Sequence, residues 1–340
     1  MKPVKGNINR LYGSIRQILE NARTKAYRAV NSVMVMAYWE IGREIVEEEQ
    51  KGNKRAGYGE GIIRSIAERL TAEYGEGFNK TNIWYMKQFY LSFENLHALR
   101  GELSWTHYRQ LLKVENINAR MFYMNECVNS NWSTRELDRQ INSLLYERLA
   151  LSKNKKKIRQ LSEKGQIIKS ADDMVKDPYV LEFLGMKENK DYLEKDIEKT
   201  LIKKLRQFIL ELGRGFSFVE RQKRITIDGD HYYVDLVFYN YILKCFVLID
   251  LKVGKLTHQD IGQMDFYVRY FEDKIRPKAD NPTIGIVMCS EKNEAMVKYT
   301  MLKDSKQVFA SKYKLYLPKE KELRDEIVRE RRLIEGKSSK

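Results

Sequence analysis

Through the first half of the chain, apolar residues recur every three or four positions, the period of a helix with one buried face. Val30, Val33, Met34, Ala37, Tyr38, Ile41 and Ile45 form one such series. Ile62, Ile63, Ile66, Ala67 and Leu70 form a second, and Ile83, Met86, Phe89, Tyr90 and Phe93 a third. Further helices are predicted from Ala119 to Val128 and from Thr134 to Leu149. Ser133, with Glu136 three positions on, supplies a capping box for the last of these. Residues 1–150 therefore read as an all-helical domain.

The period then changes. Residues 151–174 hold a basic segment (Lys153, Lys155, Lys156, Lys157, Arg159, Lys164, Lys169) with Glu163 among them, which reads as a linker, either a solvated hinge or a strap against phosphates. Beyond Asp177-Pro178 a short helix is predicted over Val180–Leu184, and a long one from Tyr192 to Leu212, stopped by Gly213. Extended patterns follow at Phe216–Ile227, His231–Tyr239, Lys244–Leu251 and Thr283–Cys289, with a short one near Tyr313–Leu317. Asp228-Gly229-Asp230 makes the first hairpin. Helices are predicted at Thr257–Phe271, from Glu291 to Met301 and at the C-terminus. Residues 175–340 thus read as an α/β domain, a mixed sheet flanked by helices.

Composition narrows the partners. The 340 residues carry a net charge of +15, which suits a polyanion such as nucleic acid. Three cysteines, Cys127, Cys245 and Cys289, are too few and too irregularly spaced for a disulfide framework or a zinc site. Met1–Gly13 lacks the apolar core of a signal peptide, and no apolar run approaches the roughly 20 residues that span a bilayer. A cytoplasmic protein without a membrane partner is expected. No Walker A lysine motif and no glycine fingerprint after a strand occurs, so no nucleotide cofactor is expected.

Two acids interrupt the apolar strands. Val234-Asp235-Leu236-Val237-Phe238 carries one, and Val247-Leu248-Ile249-Asp250-Leu251-Lys252 carries the other with a lysine two positions on. A buried, unpaired carboxylate is costly, and two at neighbouring strand ends repel. A hard divalent cation resolves both costs by taking carboxylate oxygen. Asp235 and Asp250 are the candidate metal anchors, with the Leu251 carbonyl as a further ligand. Lys252 would orient water or stabilise developing negative charge. Five other acid-x-Lys triplets exist, starting at Glu49, Glu188, Glu272, Asp304 and Glu335, and all lie in polar contexts.

Asp235 followed by Asp250-Leu251-Lys252 resembles the PD-(D/E)XK nuclease superfamily. The string from Glu211 to Gln222, Asp235-Leu236-Val237-Phe238-Tyr239, Gly262-Gln263-Met264-Asp265-Phe266-Tyr267, Ala37 to Arg43 and Leu103 to Tyr108 resemble the YhcG family in particular. The likeness covers nearly the whole chain. It implies a restriction-endonuclease-like C-terminal domain behind a helical, DNA-binding-like N-terminal domain, with Mg²⁺, or Mn²⁺, as cofactor. The motif's proline is replaced by Val234, which touches no metal ligand. The resemblance also implies a third acid before or on the first core strand. Glu211 fits best, with Glu220 as competitor. Gln263 and Tyr267 match a Gln-x3-Tyr element that supports the site or contacts substrate, and His258 lies on the loop after Lys252.

The N-terminal half offers a reader for DNA. Ile62–Tyr74, the Gly75-Glu76-Gly77 turn and Lys80–Phe93 have the outline of a helix-turn-helix. Lys80, Asn82, Tyr85, Lys87 and Gln88 open its second helix with groups that bond phosphates or base edges, and Arg109 follows on the next segment. Lys54, Arg55 and Gly57-Tyr58-Gly59 would form a wing-like loop. The expected activity is metal-dependent endonucleolytic cleavage of DNA, with a homodimer suited to cutting two strands. The rival expectations are a non-catalytic DNA-binding or adaptor protein with the same fold, and a nuclease directed at RNA.

Overall fold

A computed structural model of the chain describes residues 4–51, 56–93, 101–151, 155–186, 192–291, 305–319 and 321–322. It divides into two units, Met1–Asp138 and Arg139–Lys340. The predicted helix after Glu291, the C-terminal helix, Lys54, Arg55 and Lys153 lie outside the described residues.

The first unit is built from α1 (Val4–Lys51), α2 (Ala56–Tyr74), α3 (Lys80–Ser92), α4 (Trp105–Leu111) and α5 (Ile117–Ser130). Residues on the helical period meet in one core of Ile45, Ile63, Ala67, Ile83 and Met86. Phe89 extends it with aromatic contacts to Trp105 and Tyr108. Gly75, with φ +90, turns the chain after α2, and Asn79 caps α3 by accepting from the Asn82 amide. Gly57-Tyr58-Gly59 belongs to α2, so no wing-like loop forms there. α6 (Thr134–Asn142) crosses the division between the units. Its capping box is present: Ser133 N donates to Glu136, and Glu136 N donates to Ser133 Oγ.

The second unit continues with α7 (Leu145–Leu151), α8 (Lys155–Lys164), α9 (Ala171–Met174), β1 (Tyr179–Val180), α10 (Glu194–Lys203) and α11 (Leu205–Leu212). β2 (Phe216–Ile227), β3 (Asp230–Asn240), β4 (Cys245–Lys255), α12 (His258–Lys274), β5 (Ile284–Glu291) and β6 (Val308–Lys314) complete it. The sheet runs in the order β1-β6-β5-β4-β3-β2. Its β2-β3-β4 part is antiparallel and its β4-β5-β6-β1 part parallel. A two-residue turn at Asp228-Gly229, both with positive φ, joins β2 to β3. One face of the sheet buries Leu236, Phe238, Val247 and Ile249 with Ile197, Leu201, Phe208 and Leu212 of α10 and α11. The other buries Val237, Leu248 and Val287 against Ile261, Met264, Tyr267 and Val268 of α12.

Tertiary pairing overrides local period at three places. Tyr179 and Val180 pair in parallel with Tyr313 and Lys314, so the segment predicted as a helix is a short strand and a 3-10 turn. The predicted helix Tyr192–Leu212 breaks at Lys204, whose ammonium donates to the Phe183 carbonyl at 2.5 Å. Thr134–Leu149 divides at Leu144, which has φ +54.

Gly42 is where α1 crosses α3. A Cβ there would sit 2.1 Å from the Met86 carbonyl oxygen. Gly42→Ala is therefore predicted to destabilise the protein by about 1–3 kcal/mol through overpacking. Gly61→Ala on α2 meets open space and is predicted to be neutral or stabilising. Urea unfolding of both variants checks the pair.

Candidate active site

β3 and β4 pair from Asn240–Cys245 up to Leu236–Ile249. One step further the ladder stops, and the acids stand at that step. Leu251 N donates to Asp235 Oδ2 at 2.8 Å, and Asp235 N donates to Asp250 Oδ1 at 3.4 Å. Each carboxylate thus takes an amide that the ladder leaves without a carbonyl. This reciprocal exchange holds two negative groups side by side: Asp250 is 2 % exposed, and Asp235 is half-buried.

Their electrostatics follow from that placement. Burial, and then the charge of Asp250, pushes the Asp235 carboxyl up to about 7. Burial also raises Asp250, against the pull of Lys252. Lys252 Nζ lies 3.3 Å from Asp250 Oδ2, 3.8 Å from Glu194 Oε2 and 4.0 Å from Asp260 Oδ1. Burial alone would weaken its charge, but Asp250 and Glu194 outweigh this and its pKa rises. Lys252 is therefore an ammonium at neutral pH.

Residues 172–328 match the family model described as the YhcG PDDEXK nuclease domain, and residues 14–148 match the DUF1016 N-terminal domain. The chain is 37% identical, over 96% of its length and 95% of the relative's, to a protein of Escherichia coli (strain K12) named "Putative nuclease YhcG". This chain belongs to the YhcG family. A crystal structure of a repair endonuclease from Pyrococcus abyssi is also similar, at 20% identity over 39% of this chain and 50% of that one, with a TM-score of 0.27. The mixed sheet with its flanking helices falls within residues 172–328, the PDDEXK nuclease domain of the family.

Glu211, expected as the third acid, is not placed with the other two. It is 0 % exposed, and Arg148 Nη1 reaches its Oε1 at 2.6 Å. Arg139 Nη1 reaches Oε2 at 3.2 Å, and the Val180 amide donates to Oε1 at 2.9 Å. Burial would raise its pKa, but Arg148, Lys176 and Arg139 outweigh that and hold it at about 2. With both oxygens engaged by cations, Glu211 locks α11 to its neighbours and has none left for a metal. Glu220, the competitor, is exposed and paired with Lys223 at 3.0 Å.

The buried carboxylate beside the pair is instead Glu198 of α10. Gln222 Nε2 donates to Glu198 Oε2 and to Asp235 Oδ1, both at 3.0 Å. Glu198 also acts on the charge of Asp235. Gln222, two residues beyond the β2–β3 register shift at Phe218/Glu220, has φ +47, a strained conformation at the edge of the cluster. Sequence reasoning missed both. A signal for Glu198 exists, since it lies between Ile197 and Leu201 on the buried side of its helix.

The remaining expectations divide. Gln263 Nε2 donates to Tyr267 Oη at 2.5 Å, and Tyr267 donates to the Tyr233 carbonyl at 2.8 Å, a chain that ties α12 to β3 beside Asp235. Tyr267 is 0 % exposed, so its side chain is not open to a nucleic acid, against the expectation of contact. Burial, and then Asp250, pushes its pKa up to about 12. His258 is exposed at the start of α12. In the first unit Lys80 is exposed, while Asn82, Tyr85 and Gln88 are half-buried. Asn82 donates to the Gly77 carbonyl inside the turn, Lys87 pairs with Glu49 at 2.6 Å, and Arg109 stacks on Tyr85 at 4.7 Å. Exposed Trp84, outside the predicted set, lies on the same helix as Lys80.

Among the described residues no three His, Cys, Asp or Glu side chains form a ready metal cage. The donor set still fits a divalent ion that keeps most of its water, since Mg²⁺ is usually held through one or two carboxylates. Asp235 and Asp250 are paired hard donors whose repulsion a dication would relieve.

Two predictions test these assignments. The Glu211 pKa lies below that of an unfolded glutamate, so its stabilisation is full above about 4.5 and is lost as pH falls towards 2. Glu211→Gln is predicted to cost about 3–5 kcal/mol at neutral pH, and the loss should shrink in acid. Acid and urea unfolding measure both. Asp235 has the opposite sign: its folded pKa is above the ordinary 3.8, so metal-free stability falls as pH rises towards about 7. Mg²⁺ should then raise Tm more at about pH 8 than at about pH 5, where protons compete for the same oxygens. Equal shifts in scanning calorimetry would contradict the assignment.

Proposed function

We propose that this chain is a metal-dependent endonuclease that hydrolyses phosphodiester bonds in DNA. The supporting observation is the Asp235–Asp250 pair at the end of the β3–β4 ladder with the Lys252 ammonium 3.3 Å from Asp250. Family membership supports nuclease chemistry. The net charge of +15 and the exposed Lys80 on α3 support a nucleic acid partner read by the first unit. Three buried cysteines that form no disulfide among the described residues suit a reducing compartment such as the cytoplasm. No helix of the described residues is long and apolar enough to cross a membrane.

In this reading Asp235 and Asp250 hold Mg²⁺, with Glu198 and the Leu251 carbonyl as further oxygen donors. When bound, such an ion polarises the phosphate and lowers the pKa of attacking water. The chain's own groups do the rest. Lys252, kept charged by Asp250 and Glu194, faces the negative charge that develops on the phosphoryl oxygens. Gln222 fixes the mutual orientation of Glu198 and Asp235. The Gln263–Tyr267–Tyr233 chain holds β3 against α12, so that the Asp235 backbone does not drift.

Asp250→Asn, Lys252→Ala and Glu198→Gln are each predicted to lower plasmid cleavage by at least about 10²-fold, with melting temperatures that stay near wild type. Cleavage by Asp250→Asn at the wild-type rate would remove that residue from the mechanism. Unchanged cleavage by Glu198→Gln would remove only the third donor. Structured RNA run beside duplex DNA decides the substrate, and faster cleavage of RNA would overturn the DNA assignment.

A further inference from the structure

The N-terminal part of α1 buries nothing within the described residues. From Ile8 to Val30 every residue is exposed, and the first buried side chain of the helix is Val35. Yet this stretch carries Ile8, Leu11, Tyr12, Ile15, Ile18 and Leu19, each between 47% and 67% exposed. Their spacing of three, one, three, three and one places all six on one face of the helix. Ile8 and Ile15 take the first position of a heptad, Leu11 and Ile18 the fourth, and Tyr12 and Leu19 the fifth. A helix stretch with so many unshielded apolar side chains is marginal in water without a partner for that face.

Charge placement identifies the partner. The heptad positions on the far flank of the stripe are Ser14 and Asn21, and the near flank is Tyr12 and Leu19 themselves, all uncharged. Arg10, Arg16, Glu20 and Arg23 fall on the outward positions. Two identical basic helices normally repel, but here the seam and both of its flanks are neutral. The stripe is therefore compatible with its own copy. Six side chains of this size present on the order of 600 Å² per helix, so a pair would bury about 1,200 Å², the lower bound of stable specific interfaces.

We propose that Ile8–Leu19 is a self-association seam that pairs α1 with α1 of a second copy of this chain. The pairing rests on the helix alone and is independent of the nuclease reading. It is isologous, so the same stripe serves both copies.

Sedimentation equilibrium of the full chain tests it. The wild type is expected at the mass of two chains, and Ile15→Glu with Ile18→Glu at the mass of one. Both positions are exposed in a single copy, so far-UV circular dichroism and the thermal transition of the remainder should persist. Ile15→Ala, which adds no charge, is expected to raise the dimer dissociation constant at least tenfold. Arg16→Glu, on the outward face, is expected to leave it within twofold. A one-chain mass for the wild type at every concentration overturns the proposal. So does a two-chain mass that survives the double substitution, because another surface then makes the dimer.

Discussion

The second unit depends on one constraint: two carboxylates must stay adjacent while partly removed from water. Strand pairing alone would not hold them, because like charges at neighbouring strand ends repel. The β3–β4 ladder ends one residue short of them, and the freed amides of Asp235 and Leu251 are bonded by the opposing acids. The hydrogen bonds that terminate the ladder are thus the same ones that align the site. Burial, joined at Asp235 by the charge of Asp250, appears as raised proton affinity, and Lys252 works against it at both acids.

The unit contains a second buried acidic centre with the opposite electrostatic outcome. Glu211 lies among Arg139, Arg148 and Lys176 and is held ionised well below the ordinary range. Asp235 and Asp250 are pushed towards protonation by burial first, and then by the charges of Asp250 on the one and Glu194 on the other. Buried carboxylates with satisfied charge are structural anchors, whereas those left in tension are places where a ligand cation has something to gain. That contrast separates Glu211 from Glu198, which touches the strained pair through Gln222.

Much of this was legible in the chain itself. The period change near the middle and the Asp-Gly hairpin point to the sheet, and the two acids in apolar strands do come side by side. Gln263 and Tyr267, four apart, do meet on one helix face. Other features depend on partners distant in sequence. Val180 takes strand geometry only because Lys314 lies beside it. The break at Lys204 needs the Phe183 carbonyl, and it turns one predicted helix into two with different neighbours. By its place before the first core strand, Glu211 fits the slot of a third acid that the family resemblance implies. Its two arginines, 63 and 72 residues upstream, carry no local signal. Lys87 likewise has the composition of a phosphate contact, and only the fold shows Glu49 beside it.

The most direct measurement is the location of a bound ion. In crystals grown with Mn²⁺, anomalous scattering should place one peak within coordination distance of both Asp235 and Asp250, on the side facing Lys252, and none at Glu211. For Mg²⁺ in the same position the oxygen distances should be about 2.1 Å. A peak at Glu211, or ordered Asp235 and Asp250 side chains facing apart with no ion between them, would contradict the account.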